Sequence, residues 1–287
     1  MIETVIYDCD NMMGLPREEI DDGLTLLYLL GRSDIELLGV TTTFGNGPID
    51  RVHRATDQLL RQVGREDLPL VKGAGRRGQP PTAAARFLAQ TVAARPGKVT
   101  LLATGPLGNL AAAAELDPDF FRNLKAIACM GGYLYPLRIG WRSIDELNLS
   151  ADPEATLRVL HAACPVTLMN AHVCLQAPFR WRDLQRLDFW PTEIRRMVRN
   201  WLLAFGLYCG VREFYLWDLL PAVYLSYPEL FDENPVRVDS DVADMEDGMV
   251  VLAEEGCAPI DMPTRIRDPQ RFREVLFRAW SRVRISV

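Results

Sequence analysis

The chain of 287 residues is 48% hydrophobic and 24% charged, a composition typical of a globular protein with a substantial core and not of a disordered chain. Its formal net charge of −6 at pH 7 and its sequence pI near 5.3 exclude a general binder of phosphate backbones, which needs a basic surface, so we expect no nucleic-acid partner. Because α/β sheets with helices on both faces often reach this length, we interpret residues 1–287 as one domain.

The start of the chain and its cysteines indicate a cellular location. The segment MIETVIYDCD has neither a basic region nor an apolar stretch long enough for a secretion signal or a membrane span. The six cysteines are scattered, without the CxxC spacing of metal or redox motifs, which is typical of free thiols in a reducing compartment. The sequence therefore predicts a cytoplasmic protein with no membrane partner.

Short runs rich in β-branched and apolar residues alternate along the chain with patterns of helical periodicity. The predicted strands are residues 4–7, 35–43, 99–103, 124–130 and 166–171, followed by a late antiparallel pair at 236–238 and 249–254. The predicted helices are residues 21–30, 49–62, 106–115, 153–162, 193–207, 219–226 and 269–283. This order predicts an α/β fold with a Rossmann-like core, in which an open, mostly parallel sheet is flanked by helices and carries a small antiparallel extension. Ligands of such sheets bind beyond the carboxyl ends of the strands.

Four aspartates surround the end of the first predicted strand. Asp8 and Asp10 directly follow the strand, and Asp21 and Asp22 open the next helix. Carboxylates this close repel one another unless protons or a cation neutralise them, and a hard ion such as calcium or magnesium prefers oxygen ligands. Negative charge is also favourable at a helix N-terminus, which would explain the second pair without a metal. Together the four aspartates favour a metal site.

A DxD motif after the first strand also opens the haloacid-dehalogenase-like phosphatases, which form an alternative enzyme class. Their aspartyl-phosphate mechanism requires a downstream lysine and a late acidic pair. This chain has no late Asp-Asp pair, and its only lysines are Lys72, Lys98 and Lys125. The alternative is weakened by these absences but stays open at this point.

Further motifs occur in a characteristic order along the chain. They are DxD at 8–10, DD at 21–22, GVTTTFGN at 39–46, TGPLGN at 104–109, MGG at 130–132, ELN at 146–148, DPE at 152–154 and WD at 217–218. In this order the motifs resemble the blocks of the nucleoside hydrolase family, and they cover most of the chain. The resemblance implies that a metal-activated water hydrolyses the N-glycosidic bond of a ribonucleoside to ribose and free base. It also implies a role in nucleoside metabolism such as purine salvage, a nucleoside as the small-molecule partner, and a homodimer or homotetramer.

The resemblance also assigns roles to residues of this chain. The calcium ligands that it implies are Asp10, Asp22, Asp218 and the backbone carbonyl of Cys129. The residues that it places at the ribose are Asp21, Asn46, Met130, Glu146 and Asn148. Asp10 would also take a proton from the attacking water, and Asp8 would support the metal site from behind. These groups suit the reaction, because an oxocarbenium-like transition state needs an activated water and carboxylates that stabilise positive charge.

Trp217 stands directly before Asp218, where other nucleoside hydrolases often have a histidine that protonates the leaving base. The segment FYLWD at 214–218 resembles instead the purine-specific branch of the family, in which a tryptophan stacks on the base. We therefore expect Trp217 to be a catalytic residue and the substrate to be a purine or purine-like nucleoside. That branch uses a second tryptophan early in the chain. This chain has none before Trp141, so the second ring is missing or is supplied by Trp141 or another aromatic residue.

The other aromatic residues and the last histidine have simpler interpretations. The aromatic residues interpreted as core or interface are Trp181, Phe189, Trp190 and Trp201. His172 follows a predicted strand and is a candidate substrate-binding residue, although a lone histidine is more often structural. No histidine follows it, so departure of the base relies on stacking, solvent or His172.

Three departures from the family pattern affect the expected site. Ten residues separate Asp10 from Asp21 where the family has a much shorter loop, and we expect this insertion, residues 11–20, to fold over the site as a lid. A substrate-binding asparagine that is common near Gly140 is absent, and His172 stands where an aspartate is common. These departures leave open a non-enzyme alternative, a nucleoside- or sugar-binding relative whose insertion has disabled catalysis.

Overall fold

A computed structural model describes residues 2–255 and 259–286, so Cys257 lies outside the described residues. The strands are β1 (Glu3–Cys9), β2 (Ile35–Thr42), β3 (Leu70–Lys72), β4 (Val99–Ala103), β5 (Ala126–Met130), β6 (Leu137–Ile139), β7 (Arg142–Ile144), β8 (Val166–Met169), β9 (Pro178–Arg180), β10 (Glu213–Tyr215), β11 (Pro235–Val238), β12 (Leu252–Ala253) and β13 (Ile260–Asp261). The helices are α1 (Asp21–Leu30), α2 (Ile49–Gln62), α3 (Ala83–Ala93), α4 (Gly108–Leu116), α5 (Pro153–Leu160), α6 (Ala171–Cys174), α7 (Trp181–Leu184), α8 (Thr192–Cys209), α9 (Leu219–Tyr224), α10 (Val242–Glu246) and α11 (Pro269–Trp280). Within the described ranges, no helix combines the length and the apolar character needed to cross a membrane.

The central sheet has nine strands in the spatial order β12-β11-β13-β8-β5-β4-β1-β2-β3. Pairing is parallel from β3 through to β13, whereas β11 pairs antiparallel with both β13 and β12. Two small antiparallel sheets, β6-β7 and β9-β10, lie outside the central sheet. The predicted α/β class, an open and mostly parallel sheet flanked by helices with a small antiparallel extension, is confirmed.

Helices cover both faces of the sheet, and the side chains of the central strand alternate between the two cores. In β1, Val5 and Tyr7 pack on the side of α1, α8, α9 and α11, whereas Ile6 packs on the side of α3, α4 and α5. All three side chains are fully buried. This alternation follows from the two-residue period of a strand, and burial on both faces is typical of parallel sheets.

The direction in which the chain crosses the sheet changes at β1. Strands β2 and β3 extend the sheet on one side of β1, and β4, β5 and β8 extend it on the other. In the register of the sheet, Asp8 lies between Thr41 of β2 and Ala103 of β4. Parallel α/β sheets bind ligands at such a switch point, outside the carboxyl ends of the strands. The fold thus places the aspartates that follow β1 where a ligand site is expected.

Helix α1 brings a second group of carboxylates to the same edge. The helix follows the end of β1 and packs against β2, α9 and α11, so its first turn lies near the carboxyl ends of the strands. Asp21 and Asp22 occupy that first turn. The partial positive charge of a helix N-terminus favours carboxylates there, but it is far smaller than the charge of the two groups together.

Candidate active site

A group of carboxylates that we call the acidic cluster lies beyond the carboxyl end of β1. Its members are Asp10, Glu19, Asp21, Asp22 and Asp218. All of them except Asp10 place one oxygen each within 4.8 Å of the others, and Asp10 contacts Asp22. Asp10 and Asp22 are fully buried, and Asp21 and Asp218 are nearly so. The structure therefore brings together the predicted aspartates and adds Glu19, which the sequence did not single out.

The turn after β2 fixes the orientation of Asp10. The backbone N–H of Asn46 donates to Oδ2 of Asp10 at 2.5 Å. Gly45 approaches the same carboxylate so closely that a β-carbon there would lie 2.0 Å from Oδ2, so this position requires glycine. Oδ1 of Asp10 is buried and accepts no hydrogen bond from the described residues. Asp10 therefore has one fixed oxygen and one that a ligand can use.

Asp22 is held by three side chains. The hydroxyls of Thr104 and Tyr7 donate to its Oδ1 at 2.7 and 3.1 Å. The side-chain amide of Asn46 lies 3.3 Å from its Oδ2. Asn46 thus bridges Asp10 and Asp22, in keeping with its predicted place at the site.

Asp8 lies behind the acidic cluster and takes part in a separate network. Its Oδ1 accepts hydrogen bonds from the hydroxyl of Thr41 and, at 2.8 Å, from the side-chain amide of Asn109. Asn109 also accepts the backbone N–H of Ala74 at 2.9 Å. Asp8 therefore connects β1 to β2 and α4, and it supports the cluster without joining it.

Burial raises the pKa of every member of the acidic cluster, and neighbouring carboxylates raise several further. The pKa of Asp10, Asp21 and Asp218 is held well above its ordinary value by burial and then by a neighbouring aspartate. Burial raises the pKa of Asp22 to about 6 and that of Asp8 to about 7. These carboxylates must bind either protons or a cation near neutral pH. Clustered buried oxygens, one of them on Asp10 without a partner, fit a divalent metal ion.

The insertion at residues 11–20 packs into the protein in its first half. Met12 is fully buried and Met13 is 3% exposed. A β-carbon on Gly47 would lie 2.7 Å from Met12, and one on Gly23 would lie 2.5 Å from Met13, so glycine permits both contacts. The first half of the insertion is therefore packed in the core, and Glu19 near its end lines the cavity, whereas its role as a lid stays a prediction.

A cavity opens above the acidic cluster and has one polar and one aromatic side. The polar residues that line it include Glu19, Asp21, Asn46, Thr104, Asp145, Glu146, Asn148 and Asp218. The aromatic residues that line it are Tyr133, Trp201, Phe205 and Trp217. Met130, at the end of β5, also lines the cavity. This shape suits a small molecule with one polar and one flat apolar part.

Glu146 lines the cavity, and its carboxylate holds the backbone of the surrounding loop. Its two carboxylate oxygens accept the N–H groups of Gly132, Asn148, Leu149 and Ser150 at 2.7 to 3.0 Å. Asn148, next to it, donates from its side chain to the carbonyl oxygen of Met130 at 3.2 Å. The ELN motif thus fixes the loop that closes one side of the cavity.

A comparison with protein families matches residues 5–274 to the family described as inosine-uridine preferring nucleoside hydrolase. The chain belongs to this family. Family membership makes the protein an enzyme, a ribonucleoside hydrolase, and decides against the phosphatase alternative. The resemblance that the motifs indicated is therefore confirmed at the level of the family.

Relatives of this nucleoside hydrolase carry names that refer to different bases. Uridine nucleosidase 1 of Arabidopsis thaliana is 28% identical in an alignment 258 positions long, which covers 77% of this chain and 76% of that protein. The pyrimidine-specific ribonucleoside hydrolase RihA of Shewanella woodyi is 28% identical over 290 residues, covering 89% of this chain and 90% of its own. A solved purine-preferring ribonucleoside hydrolase from Gardnerella vaginalis has the same fold, with a TM-score of 0.85 at 20% identity over 97% of this chain and 98% of its own.

Two rings that were considered for the site of this nucleoside hydrolase do not line the cavity. His172 lies in α6, where its ring stacks on Tyr135 at a centroid distance of 3.9 Å, and its contact with substrate stays a prediction. Trp141 is 65% exposed and donates to the backbone of Tyr208, so it does not supply a second ring. Cys129 is buried in β5, directly before Met130, and its thiol faces the carbonyl oxygen of Thr167.

Trp201 is the aromatic residue whose role the sequence did not indicate. It was interpreted as core or interface, and it does pack against the core, but together with Phe205 it also lines the cavity. Trp190 is buried, as interpreted, and Trp181 and Phe189 are exposed. The sequence contains an indication of this role, because Trp201 and Phe205 are four residues apart and therefore lie on the same face of α8.

Proposed function

We propose that this nucleoside hydrolase cleaves the N-glycosidic bond of purine or purine-like ribonucleosides with the help of a bound calcium ion. The observation that carries the proposal is the buried acidic cluster at the floor of a cavity whose other side is aromatic. Carboxylates on the floor suit an oxocarbenium-like sugar, and the aromatic side suits a planar base. The polarity of the cavity thus matches both halves of a nucleoside.

The oxygens that would hold the ion belong to Asp10, Asp22, Asp218 and the backbone carbonyl of Cys129. Calcium takes six to eight oxygen ligands, so a buried set of carboxylates suits it better than it suits the smaller magnesium ion. A bound divalent ion lowers the pKa of a coordinated water and orients vicinal hydroxyls.

Asp10 is the proposed general base. Its Oδ2 is fixed by the N–H of Asn46, whereas its Oδ1 is free of hydrogen bonds from the described residues. A general base needs one oxygen within hydrogen-bond reach of the proton that it accepts. Asp10 therefore accepts the proton of the attacking water at Oδ1 while Asn46 keeps its carboxylate in place.

The ribose is proposed to lie between the acidic cluster and the loop of the ELN motif. Asp21, Asn46 and Asn148 present polar groups to this part of the cavity, and Met130 packs against the sugar. For Glu146 we propose a positioning role in place of the direct ribose contact that the resemblance implies, because its oxygens already accept four backbone N–H groups. Glu146 thereby holds Asn148 at the sugar.

The base is proposed to stack on Trp217, with Trp201 and Phe205 on the adjacent helix α8 completing an aromatic pocket. No histidine is among the described residues that line the cavity, so departure of the base depends on stacking and solvent. A purine offers more surface to these rings than a pyrimidine does and carries an N7 that can be protonated. The aromatic side of the cavity therefore supports a purine preference.

The alternative of a catalytically impaired binding protein depended on an insertion that distorts the metal site. In the structure Asn46 still hydrogen-bonds both Asp10 and Asp22, and the insertion adds Glu19 to the cluster. The hydrogen bonds that hold Asp10, the proposed general base, are therefore present despite the insertion. This favours an active enzyme over a binding protein.

The Trp217→Ala variant tests the stacking role and the purine preference. Because stacking of one base on an aromatic ring contributes about 1–3 kcal/mol, we expect kcat/KM for inosine and guanosine to fall by about 5- to 140-fold, with a much smaller change for uridine. The matched control is Trp141→Ala, which removes an indole outside the cavity and should change neither value. Equal losses for inosine and uridine, or an unsubstituted enzyme faster on uridine, would contradict the purine assignment.

A further inference from the structure

Glu19 occupies a position in the site that its place in the sequence does not suggest. It belongs to the insertion at residues 11–20, yet its carboxylate lies within 4.8 Å of those of Asp21, Asp22 and Asp218. It also lines the cavity. The insertion therefore contributes a carboxylate to the acidic cluster.

The segment that carries Glu19 is anchored on both sides of it. Asn11 accepts the backbone N–H of Met13 at 2.9 Å and lies 3.3 Å from the hydroxyl of Thr56 on α2. Glu18 forms an ion pair with Arg51, also on α2, at 2.8 Å. After Glu19 the chain enters α1 directly. The backbone around Glu19 is thus held against two helices, and its carboxylate is directed into the cluster by packing.

The two oxygens of Glu19 have different surroundings. Oε1 accepts the backbone N–H of Asp21 at 2.6 Å, which satisfies one free donor at the start of α1. Oε2 is buried and has no hydrogen-bond partner among the described residues. Glu19 also takes part in none of the ion pairs found in the described part of the chain. A buried carboxylate oxygen without a proton donor or a cation is unfavourable.

We propose that Glu19 is a further ligand of the divalent ion, so that the insertion completes the metal site of this enzyme. The proposal rests on the proposed function of the same site and extends it to a residue outside the family motifs. Oε1 ties the carboxylate to α1, and Oε2 faces the ion. The insertion then raises the affinity for the ion by adding a negative charge to the cluster.

A purely structural role for Glu19 makes the opposite prediction. If the residue only caps α1 through Oε1, its charge adds repulsion to the cluster and contributes nothing to metal binding. A glutamine at this position keeps an Oε1 acceptor for the N–H of Asp21 but loses the charge. An alanine loses both. The two substitutions therefore separate the cap from the ligand.

The experiment is a calorimetric titration of the chelator-stripped full chain with CaCl2 at pH 7.5, with thermal melts in chelator and in CaCl2. Loss of residues that merely support a metal ligand weakens metal binding by about 10–100-fold, so we expect at least a tenfold weaker calcium affinity for Glu19→Gln. Without metal its melting temperature should equal or exceed that of the unsubstituted chain, because one repulsive charge is gone. The matched control is Glu18→Gln, which removes a charge one residue earlier and should leave the affinity unchanged, because the amide oxygen of glutamine can still accept the hydrogen bond from Arg51 that anchors the segment.

Two outcomes would overturn the proposal. One is a calcium affinity of Glu19→Gln equal to that of the unsubstituted chain. The other is an equal loss of affinity in Glu18→Gln, which would show a general effect of charge. Glu19→Ala provides a second measurement. It should lose calcium affinity as Glu19→Gln does, and without metal it should also melt at a lower temperature, because it loses the acceptor for the N–H of Asp21. Ribose release by the unsubstituted chain tests the proposed function separately, and a negative result there would leave the calcium titration valid.

Discussion

At the scale of single residues, the structure distinguishes the two oxygens of Asp10. Asn46 and the approach of Gly45 fix Oδ2, and Oδ1 is buried without a donor. This asymmetry separates Asp10 from Asp22, whose oxygens both accept hydrogen bonds. The difference supports the assignment of the general base to Asp10 and not to Asp22, while both aspartates stay proposed ligands of the ion.

The Asp10→Asn variant tests this assignment. General bases contribute about 10²- to 10⁴-fold to rate, so we expect kcat for inosine to fall by at least about 100-fold in saturating CaCl2, which compensates for any loss of metal affinity. The fold should persist, because an asparagine oxygen can still accept the N–H of Asn46 and a repulsive charge is removed. Ribose release and thermal melts check both parts. Near-normal turnover would show that another group accepts the proton.

The sequence predicted the aspartates of the site but not all of its members. Asp10 and Asp22 stand directly at the ends of elements, so a strand-end rule places them at one edge of the sheet. Glu19 was only one of several polar residues in an insertion, and its contact with Asp218 depends on how that segment packs. Trp201 carried only a helical spacing that suits a core as well as a cavity. Residues whose role depends on packing between distant segments therefore stayed outside the prediction.

At the scale of elements, the insertion is buried at its two ends and exposed between them. Its two methionines are buried and pack on Gly23 of α1 and on Gly47 in the turn before α2. The burial of Met12 predicts that shortening the insertion lowers the stability of the fold.

The Met12→Ala variant measures the contribution of this packing. Truncation of a buried methionine to alanine costs about 2–5 kcal/mol, and we expect the free energy of unfolding to fall within that range. The control is Glu18→Ala in the same segment, where loss of a partly exposed ion pair should cost under about 1 kcal/mol. Denaturant melts give both values. A loss for Met12→Ala no larger than that of the control would return the insertion to the role of a surface lid.

The predicted elements were most accurate where periodicity was long. Helices α1 and α2 begin and end where the sequence predicted, and β4 has its predicted bounds. Strands β3, β6 and β7 have three residues each, too few to show an alternating pattern, and they were missed. Helix α3 was also missed, although Thr82 caps its N-terminus. The late strand predicted at 249–254 is reduced to β12, and Met249 instead forms an isolated bridge with Tyr133.

At the scale of the whole molecule, the acidic cluster couples stability to pH and to metal. In the absence of metal, the folded-state pKa of Asp8 is about 7 and that of Asp22 about 6, whereas an unfolded aspartate titrates near 3.9. At a pH between the unfolded and the folded pKa values, the folded chain binds more protons at these aspartates than the unfolded chain does. The stability of the metal-free protein therefore falls as pH rises from about 4 to about 7.

Thermal melts across this range test the coupling. In chelator we expect the melting temperature to decrease from pH 5 to pH 7.5, because protons are lost from carboxylates that repel one another. In saturating CaCl2 we expect the decrease to disappear or reverse, since metal binding requires the deprotonated carboxylates and favours the folded state. Parallel slopes with and without calcium would show that the cluster does not bind the ion.

The central claim is that this enzyme hydrolyses ribonucleosides with a metal ion held by the acidic cluster. The most direct measurement is ribose release from inosine by the chelator-stripped full chain, before and after CaCl2 is added back. The account predicts no release above background in chelator and full recovery with calcium. Undiminished release in chelator would contradict it, and so would the absence of release in calcium from inosine and from every other ribonucleoside tried.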